Sequence, residues 1–121
     1  GWTWVLRELG CEVIAVDRSE LSENLMKDPK VEFIKHDAFT LSLEEFAPFD
    51  WIFSDVICYP ERLLEWIQKI IDKKMTKKMI CTIKLQGETD WSIIDAFSSI
   101  PNSFIQHLCY NKHELCWFYC E

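Results

Sequence analysis

The sequence has no apolar run long enough to cross a membrane and no basic-then-apolar segment at its start. A membrane-spanning helix needs about 20 consecutive apolar residues, and a secretory leader needs a charged start followed by an apolar stretch. We therefore expect a soluble, cytoplasmic protein without a membrane partner. An initiator methionine is also missing, and Gly1-Trp2-Thr3-Trp4 enters a helical pattern without a capping residue. This suggests a piece of a longer protein.

Basic residues are scarce relative to acidic ones. Thirteen Lys and Arg stand against 20 Asp and Glu in 121 residues, which gives a formal charge of −7. Such a chain is not expected to bind nucleic acid over its whole surface, although a local basic patch is compatible with this charge. One basic stretch, residues 69–78, could contact RNA phosphates, but we favour a solvated helix end. Its lysines are Lys69, Lys73, Lys74, Lys77 and Lys78.

A close Cys-x-x-Cys pair is also absent, although the chain has six cysteines. Thiolates and imidazoles are the usual zinc ligands, so Cys109, Cys116 and Cys120 with His107 and His113 are conceivable ligands. Because these cysteines lie mostly in apolar, strand-like runs, we expect buried free thiols and no metal. The tryptophans could stack on bases, but their apolar contexts favour core packing for Trp2, Trp4, Trp51, Trp66, Trp91 and Trp117.

Short β-branched runs alternate with helical patterns, which is typical of βα units around a mainly parallel sheet. With 49% hydrophobic residues, the chain can build one packed core. We predict strands over residues 13–17, 31–36, 49–56 and 79–85. We predict helices over residues 2–9, 19–26, 60–71 and 90–99. Two final strands, 103–110 and 114–120, flank Asn111-Lys112-His113 and should form an antiparallel hairpin.

Acidic residues stand at the carboxyl ends of two predicted strands, where ligands collect in open α/β sheets. Asp17 can accept hydrogen bonds from a ribose diol, and the alternative is an acid at a helix N-terminus. Asp37 can accept from an adenine amine while the small Ala38 lets the ring approach. A plain turn aspartate is the alternative there.

Lys84 interrupts an otherwise apolar strand. Because an unpaired buried ammonium is costly, this lysine is expected either to pair with acids or to extend to solvent without a chemical role. Asp55 and Glu114, which also lie near strand ends, are its natural partners. We predict that the three side chains converge at one edge of the sheet.

These residues fall in the order of a known family. The chain resembles the FtsJ-like S-adenosylmethionine-dependent RNA 2′-O-methyltransferases, most closely the RlmM-like branch, which modifies a cytidine ribose in large-subunit ribosomal RNA. The resemblance covers essentially the whole chain through the order and spacing of its motifs. These are Gly1-Trp2-Thr3, Val13-Ile14-Ala15-Val16-Asp17, His36-Asp37-Ala38-Phe39, Phe53-Ser54-Asp55, Thr82-Ile83-Lys84 and His113-Glu114.

The resemblance implies a Rossmann-like α/β methyltransferase sheet, mainly parallel with a C-terminal antiparallel hairpin. Residues 1–121 would be the C-terminal part of a single catalytic domain. The first strand, most of the glycine-rich loop and a first catalytic lysine would precede Gly1.

The resemblance also implies the site. Its cofactor is S-adenosylmethionine, held by Asp17, Asp37 and Ala38, with Gly1 and Trp2 from the glycine-rich loop and a contribution from Asp55. The catalytic set would be Asp55, Lys84 and Glu114 with the upstream lysine, and no metal is needed.

The implied reaction is methyl transfer to a ribose 2′-hydroxyl of ribosomal RNA. An N-terminal RNA-binding region of the full-length protein is expected. Lys84 would take or share the hydroxyl proton if desolvation and a second lysine lower its pKa. The alternatives are a nucleotide-binding or purely structural α/β module, and a dehydrogenase, which lacks its Gly-x-Gly-x-x-Gly motif here.

Overall fold

Six strands form two sheets in the described part of the chain. The computed structural model describes residues 2–56, 58–85, 91–107 and 114–121. Several predictions lie outside the described residues: the roles of Gly1, Cys109 and His113, and the turn at residues 111–113. The chain divides into two compact units, Gly1–Ser42 and Leu43–Glu121, and each is described by itself.

The first unit is built on one parallel strand pair. Its elements are helix α1 (Trp2–Glu8), strand β1 (Val13–Asp17), helix α2 (Glu23–Met26) and strand β2 (Val31–Lys35). Gly10 ends the first helix at φ 86°, the left-handed conformation that glycine adopts without strain. Ala15 is the unit's one buried hydrophobic residue among those described. This unit therefore has little core of its own.

The second unit holds a four-stranded sheet in the order β3-β4-β6-β5. Strand β3 is parallel to β4, whereas β6 is antiparallel to both β4 and β5. Three strands therefore run one way and β6 alone is reversed, which confirms the mixed sheet and the C-terminal antiparallel pairing. The elements are a 3-10 turn (Leu43–Glu45), β3 (Ile52–Ser54), α3 (Pro60–Asp72), β4 (Lys78–Lys84), α4 (Trp91–Ser98), β5 (Ser103–Gln106) and β6 (Glu114–Cys120).

One face of this sheet packs against the two helices of the second unit. Trp117 is fully buried, donates a hydrogen bond from Nε1 to the Phe97 carbonyl at 3.0 Å, and meets the Phe97 ring edge-on. Apolar side chains spaced along α3 are buried with it, as helical periodicity requires. The other large members of this core are Leu63, Ile67, Ile70, Met79, Cys81 and Ile83.

Strand β5 ends at Gln106, although residue 107 was predicted to continue it, and helix α2 and strand β3 are also shorter than their sequence patterns suggest. Helix α2 begins at Glu23 instead of residue 19, because the Ser19 amide donates to Asp17 Oδ1 in a turn. Strand β3 covers three residues instead of eight, and Phe49 forms only an isolated bridge with Thr76. Both corrections leave the strand ends near Asp17 and Asp55 in place.

The prediction that the tryptophans and cysteines pack in the core is wrong for several of them. Trp4, Trp51 and Trp91 are exposed, as are Cys11 and Cys120, whereas Trp117, Cys81 and Cys116 are buried. Trp4 and Trp91 lie on helices, whereas Cys11, Trp51 and Cys120 lie at or beside the end of a strand. Single exposed apolar residues at such positions are common.

No cluster of three or more His, Cys, Asp or Glu side chains that could hold a metal ion occurs within the described ranges. Across the same residues, none of the helices combines the length and apolar character needed to span a membrane.

Candidate functional site

Two carboxylates mark the carboxyl ends of the parallel pair β1–β2. The strands run in register with Asp17 opposite Lys35, and the His36 amide donates to the Asp17 carbonyl at 3.0 Å. Asp17 is exposed, and Asp37 follows two residues after Lys35. The first unit thus carries both acids at one edge of its sheet, the arrangement expected from the sequence.

The Asp37 carboxylate is held in a fixed orientation. Its Oδ1 accepts the Phe39 amide at 3.0 Å, and its Oδ2 accepts Arg18 Nη2 at 2.7 Å. The first bond is that of an aspartate turn, so the turn role that we considered for Asp37 is present.

Arg18 is a site residue that sequence reasoning missed. Its guanidinium bridges from the end of β1 to Asp37, while 72% of its side chain stays exposed. A basic residue directly after Asp17 was the one sequence feature that pointed to Arg18. Its partner, Asp37, lies 19 residues further along the chain, so the pairing is seen only in the folded structure.

Lys84 lies between two acids at the end of β4. Its Nζ is 2.8 Å from Asp55 Oδ1 and 2.5 Å from Glu114 Oε1, and only 17% of its side chain is exposed. Glu114 is its register partner across the β4–β6 ladder, whereas Asp55 follows β3. The predicted convergence of these three side chains is confirmed, and their catalytic role stays a prediction.

The charge state of Lys84 differs from our expectation. Burial acts most strongly and tends to lower the pKa of Lys84, but hydrogen bonds to Asp55 and Glu114 and their negative charges outweigh it. The pKa is therefore raised above its ordinary value of 10.5. The lowered pKa that we considered depends on a second lysine nearby, whereas both described partners of the ammonium are acids.

The strand face beside Lys84 carries a hydroxyl and a thiol. Thr82 and Cys116 are register partners two positions along the same ladder, and Thr82 hydrogen-bonds the Cys116 side chain. Burial raises the pKa of Cys116, so this group stays a neutral thiol near pH 7. A thiolate nucleophile is therefore not part of this arrangement.

The remaining sequence candidates fall in the first unit. Ala38 is half-buried beside Asp37, and Trp2 is a half-buried residue at the start of α1. Asp17, Asp37 and Ala38 thus belong to one unit, whereas Asp55, Lys84 and Glu114 belong to the other.

Comparison with known proteins finds relatives among ribosomal RNA methyltransferases. The chain is 34% identical over 88 residues to Ribosomal RNA large subunit methyltransferase M of Halorhodospira halophila, covering 70% of this chain and 24% of that protein. It is 29% identical over 97 residues to the protein of the same name from Alkalilimnicola ehrlichii, covering 78% of the chain and 26% of that protein. The resemblance predicted from the motifs is confirmed. No family model matches the chain.

The fold has a counterpart among solved structures. Human methyltransferase 10 domain containing protein superposes with a TM-score of 0.60 at 12% identity, covering 98% of this chain and 64% of that one. The chain therefore has the α/β fold of a methyltransferase. It spans about a quarter of the length of the curated relatives it matches.

Proposed function

We propose that these residues form part of an enzyme that transfers a methyl group from S-adenosylmethionine to a ribose 2′-hydroxyl of large-subunit ribosomal RNA, at a cytidine. The observation that carries the proposal is Lys84 paired with Asp55 and Glu114 at the edge of the sheet where β3 and β4 end and the antiparallel β6 begins. The names of the sequence relatives support ribosomal RNA as the substrate. A cytoplasmic location and a separate RNA-binding region belong to the same proposal.

The first unit fits the adenosine part of the cofactor. Asp17 Oδ1 accepts the Ser19 amide at 3.2 Å, and its second oxygen has no partner among the described residues, so it can accept from a ribose diol. Arg18 and the Phe39 amide fix the Asp37 carboxylate, which can then accept from an adenine amine without reorientation. When bound, S-adenosylmethionine supplies an electrophilic methyl group.

The three charged residues of the second unit suit the acceptor hydroxyl. Lys84 carries its proton at neutral pH, so its ammonium can donate a hydrogen bond to the hydroxyl oxygen and orient it. Asp55 and Glu114 hold that ammonium and offer oxygens to the hydroxyl proton. For Lys84 itself to accept a proton, a further positive charge must lower its pKa. The second lysine implied by the family would do so.

Lys84→Ala in the native polypeptide tests this proposal. We expect methyl incorporation into ribosomal RNA to fall at least about 100-fold, the contribution typical of a positioned acid–base group, while calorimetry shows nearly unchanged cofactor affinity. Incorporation is followed with a radiolabelled methyl donor, and the modified nucleoside is identified by mass spectrometry.

Lys27→Ala is the matched control, because it removes a lysine that is 72% exposed and paired with Glu23 on α2. It should leave methylation unchanged. A methylated base, or full activity in Lys84→Ala, contradicts the 2′-O mechanism.

Asp17→Ala tests the cofactor site. Removing the diol acceptor should weaken S-adenosylmethionine binding by about 1–3 kcal/mol, the cost of leaving hydrogen-bonding groups unpaired. Titration calorimetry measures the change, with Glu20→Ala as a control that removes an exposed acid nearby. If the two variants bind S-adenosylmethionine with equal affinity, the role of Asp17 is limited to its hydrogen bond in the local turn.

Residues 1–121 without further polypeptide should transfer no methyl group. They lack the first strand, most of the glycine-rich loop and the first catalytic lysine that the resemblance implies, and Lys84 on its own remains protonated. The same radiolabel assay measures methyl incorporation. Incorporation by residues 1–121 alone would mean that the motif assigned to the region before Gly1 lies within these residues.

A further inference from the structure

Two exposed aromatic rings follow the strands that carry the candidate site of the second unit. Tyr59 lies between β3 and helix α3, and Trp91 begins helix α4 after β4. Tyr59 is 67% exposed and Trp91 is 68% exposed. Among the described residues of this unit, no other large hydrophobic side chain is as exposed as these two. Both rings therefore present an open face to solvent and to a ligand.

The topology of the second unit places both rings at the edge of the sheet where Lys84 lies. Strands β3, β4 and β5 are parallel, so α3 and α4 are crossover helices that run back against the strands. Each helix thus begins at the carboxyl end of the strand before it. The two helices contact each other on one face of the sheet, so Tyr59 and Trp91 lie at neighbouring helix starts.

The backbone of Tyr59 is held in one conformation. A residue before proline is restricted to extended conformations, and Tyr59 has φ −67° and ψ 141° before Pro60. Its carbonyl accepts the amides of Arg62 and Leu63 at 3.1 and 3.3 Å, and the Leu63 side chain is anchored in the core. The position of the ring is thus largely set before a ligand binds, which lowers the entropy cost of binding.

Charge at this edge favours stacking over phosphate binding. The Lys84 ammonium is matched against two carboxylates, so this set carries a net negative charge. The start of α3 adds Glu61 and Arg62, whose charges balance. Phosphate groups are attracted to an excess of cations, which these residues do not provide. Stacking of a base on an aromatic ring needs no cation, and every base has a face for it.

We propose that Tyr59 and Trp91 stack on bases of the RNA that carries the acceptor ribose, and so bind the substrate beside Lys84. This inference rests on the proposed function. Because the Lys84 side chain is only 17% exposed, the acceptor nucleotide has to leave regular RNA stacking to bring its hydroxyl to the ammonium. Aromatic side chains replace the lost contacts of unstacked bases in proteins that recognise single-stranded RNA. Base stacking is also the alternative that the sequence left for Trp91.

Alanine variants of both rings in the native polypeptide test the inference. Tyr59→Ala and Trp91→Ala should each raise the KM for ribosomal RNA at least about fivefold, the lower limit for loss of one stacked base. The kcat and the affinity for S-adenosylmethionine should stay near their wild-type values, because a contact away from the reacting atoms binds substrate and transition state alike. Methyl incorporation at several RNA concentrations gives KM and kcat, and calorimetry gives the cofactor affinity.

Variants that keep a ring separate stacking from a structural effect. Tyr59→Phe and Trp91→Phe should recover most of the RNA affinity that the alanine variants lose. Gln68→Ala, which changes an exposed residue further along α3, is the matched control and should have the wild-type KM. Urea unfolding midpoints of the alanine variants should match the wild type, because both rings are exposed. An equal rise of KM in the phenylalanine and alanine variants contradicts stacking.

Ultraviolet crosslinking identifies what lies on the rings. The native polypeptide is irradiated with a fragment of large-subunit ribosomal RNA that it methylates, and the crosslinked peptides are read by mass spectrometry. Tyr59 and Trp91 should be joined to nucleotides next to the methylated ribose. Crosslinks of these residues only to distant nucleotides, or to another segment of polypeptide, overturn the inference.

The outcomes separate this inference from the proposed function. If the native polypeptide methylates no ribose of ribosomal RNA, the proposed function is wrong and this inference falls with it. If the native polypeptide methylates a ribose and both alanine variants keep the wild-type KM, this inference is wrong and the proposed function stands.

Discussion

Lys84 combines a structural and a chemical task in one side chain. Its ammonium joins β3 to β6 through Asp55 and Glu114, which are 51% and 34% exposed. Because both acids are partly solvated, the net stabilisation is modest. Without the lysine, however, two carboxylates would be left side by side.

Lys84→Met should therefore lower the free energy of unfolding by about 1 kcal/mol at pH 7, the upper range for partly exposed pairs. The folded-state pKa of Lys84 is raised above its ordinary value of 10.5. Its contribution is thus present below about pH 10.5 and is lost as pH rises through the folded-state pKa. Urea unfolding between pH 7 and pH 11 measures the difference.

Lys27→Met serves as the control for general alkaline effects and should differ little from the wild type across this pH range. If the difference in unfolding free energy between Lys84→Met and the wild type stays constant with pH, the lost stability comes from apolar contacts of the lysine stem and not from its charge.

The sequence identified most residues of the candidate site but not their charge state. Lys84 stands out because a cation within an apolar strand is costly, and this argument predicts its acidic partners. The direction of its pKa depends on the balance between burial and two hydrogen bonds, which requires distances. Arg18 was missed for a related reason, because an exposed arginine after a strand has no distinctive pattern.

At the scale of elements, β6 is the centre of the larger sheet. It pairs with β4 along seven residues and with β5 along four. Its Trp117 joins the sheet to α4 by a buried hydrogen bond and an edge-on ring contact. The packing of strand on helix therefore depends strongly on this side chain.

Trp117→Phe should lower the free energy of unfolding by about 2–3 kcal/mol, because it removes buried volume and one of the hydrogen bonds that the Phe97 carbonyl accepts. Chemical unfolding followed by circular dichroism measures the change. Trp91→Phe is the matched control and should stay within about 0.5 kcal/mol of the wild type, as exposed substitutions do. Equal effects of both changes would rule out a special role for the Trp117 contact.

Elements with a sustained pattern were predicted well. The apolar repeat of α3 and the continuous apolar run of β4 fix their limits to within about one residue. The short α2 was overextended because a turn at Asp17 competes with helix formation. The insertion of β6 between β4 and β5 was not predicted. The sequence pattern near the C-terminus indicates only that β5 pairs with β6, and the pairing of β4 with β6 joins residues that are far apart in the chain.

At the scale of the whole molecule, the two units differ in how much apolar surface they bury. Ala15 is the first unit's one buried hydrophobic residue among those described, whereas the second unit buries Trp117, Phe97 and the apolar side of α3. A single pair of strands is marginally stable in water. The first unit should therefore open more easily than the second.

Native-state hydrogen exchange should show this difference. We expect backbone amides of β4 and β6 to exchange at least about 100-fold more slowly than those of β1 and β2, since opening energies follow buried core. NMR or mass spectrometry of the chain at neutral pH measures the rates. Equal protection in both sheets would mean that the two units unfold together.

The position of β6 also constrains the order in which a ribosome can complete this sheet. Strands β3, β4 and β5 are synthesised before β6, yet β6 lies between β4 and β5. Until β6 leaves the ribosome, one side of β4 and one side of β5 expose unpaired backbone groups, which favour association with other chains. A nascent chain stalled before Glu114 would thus need a chaperone to cover these strand edges, whereas release of the next seven residues would close both at once.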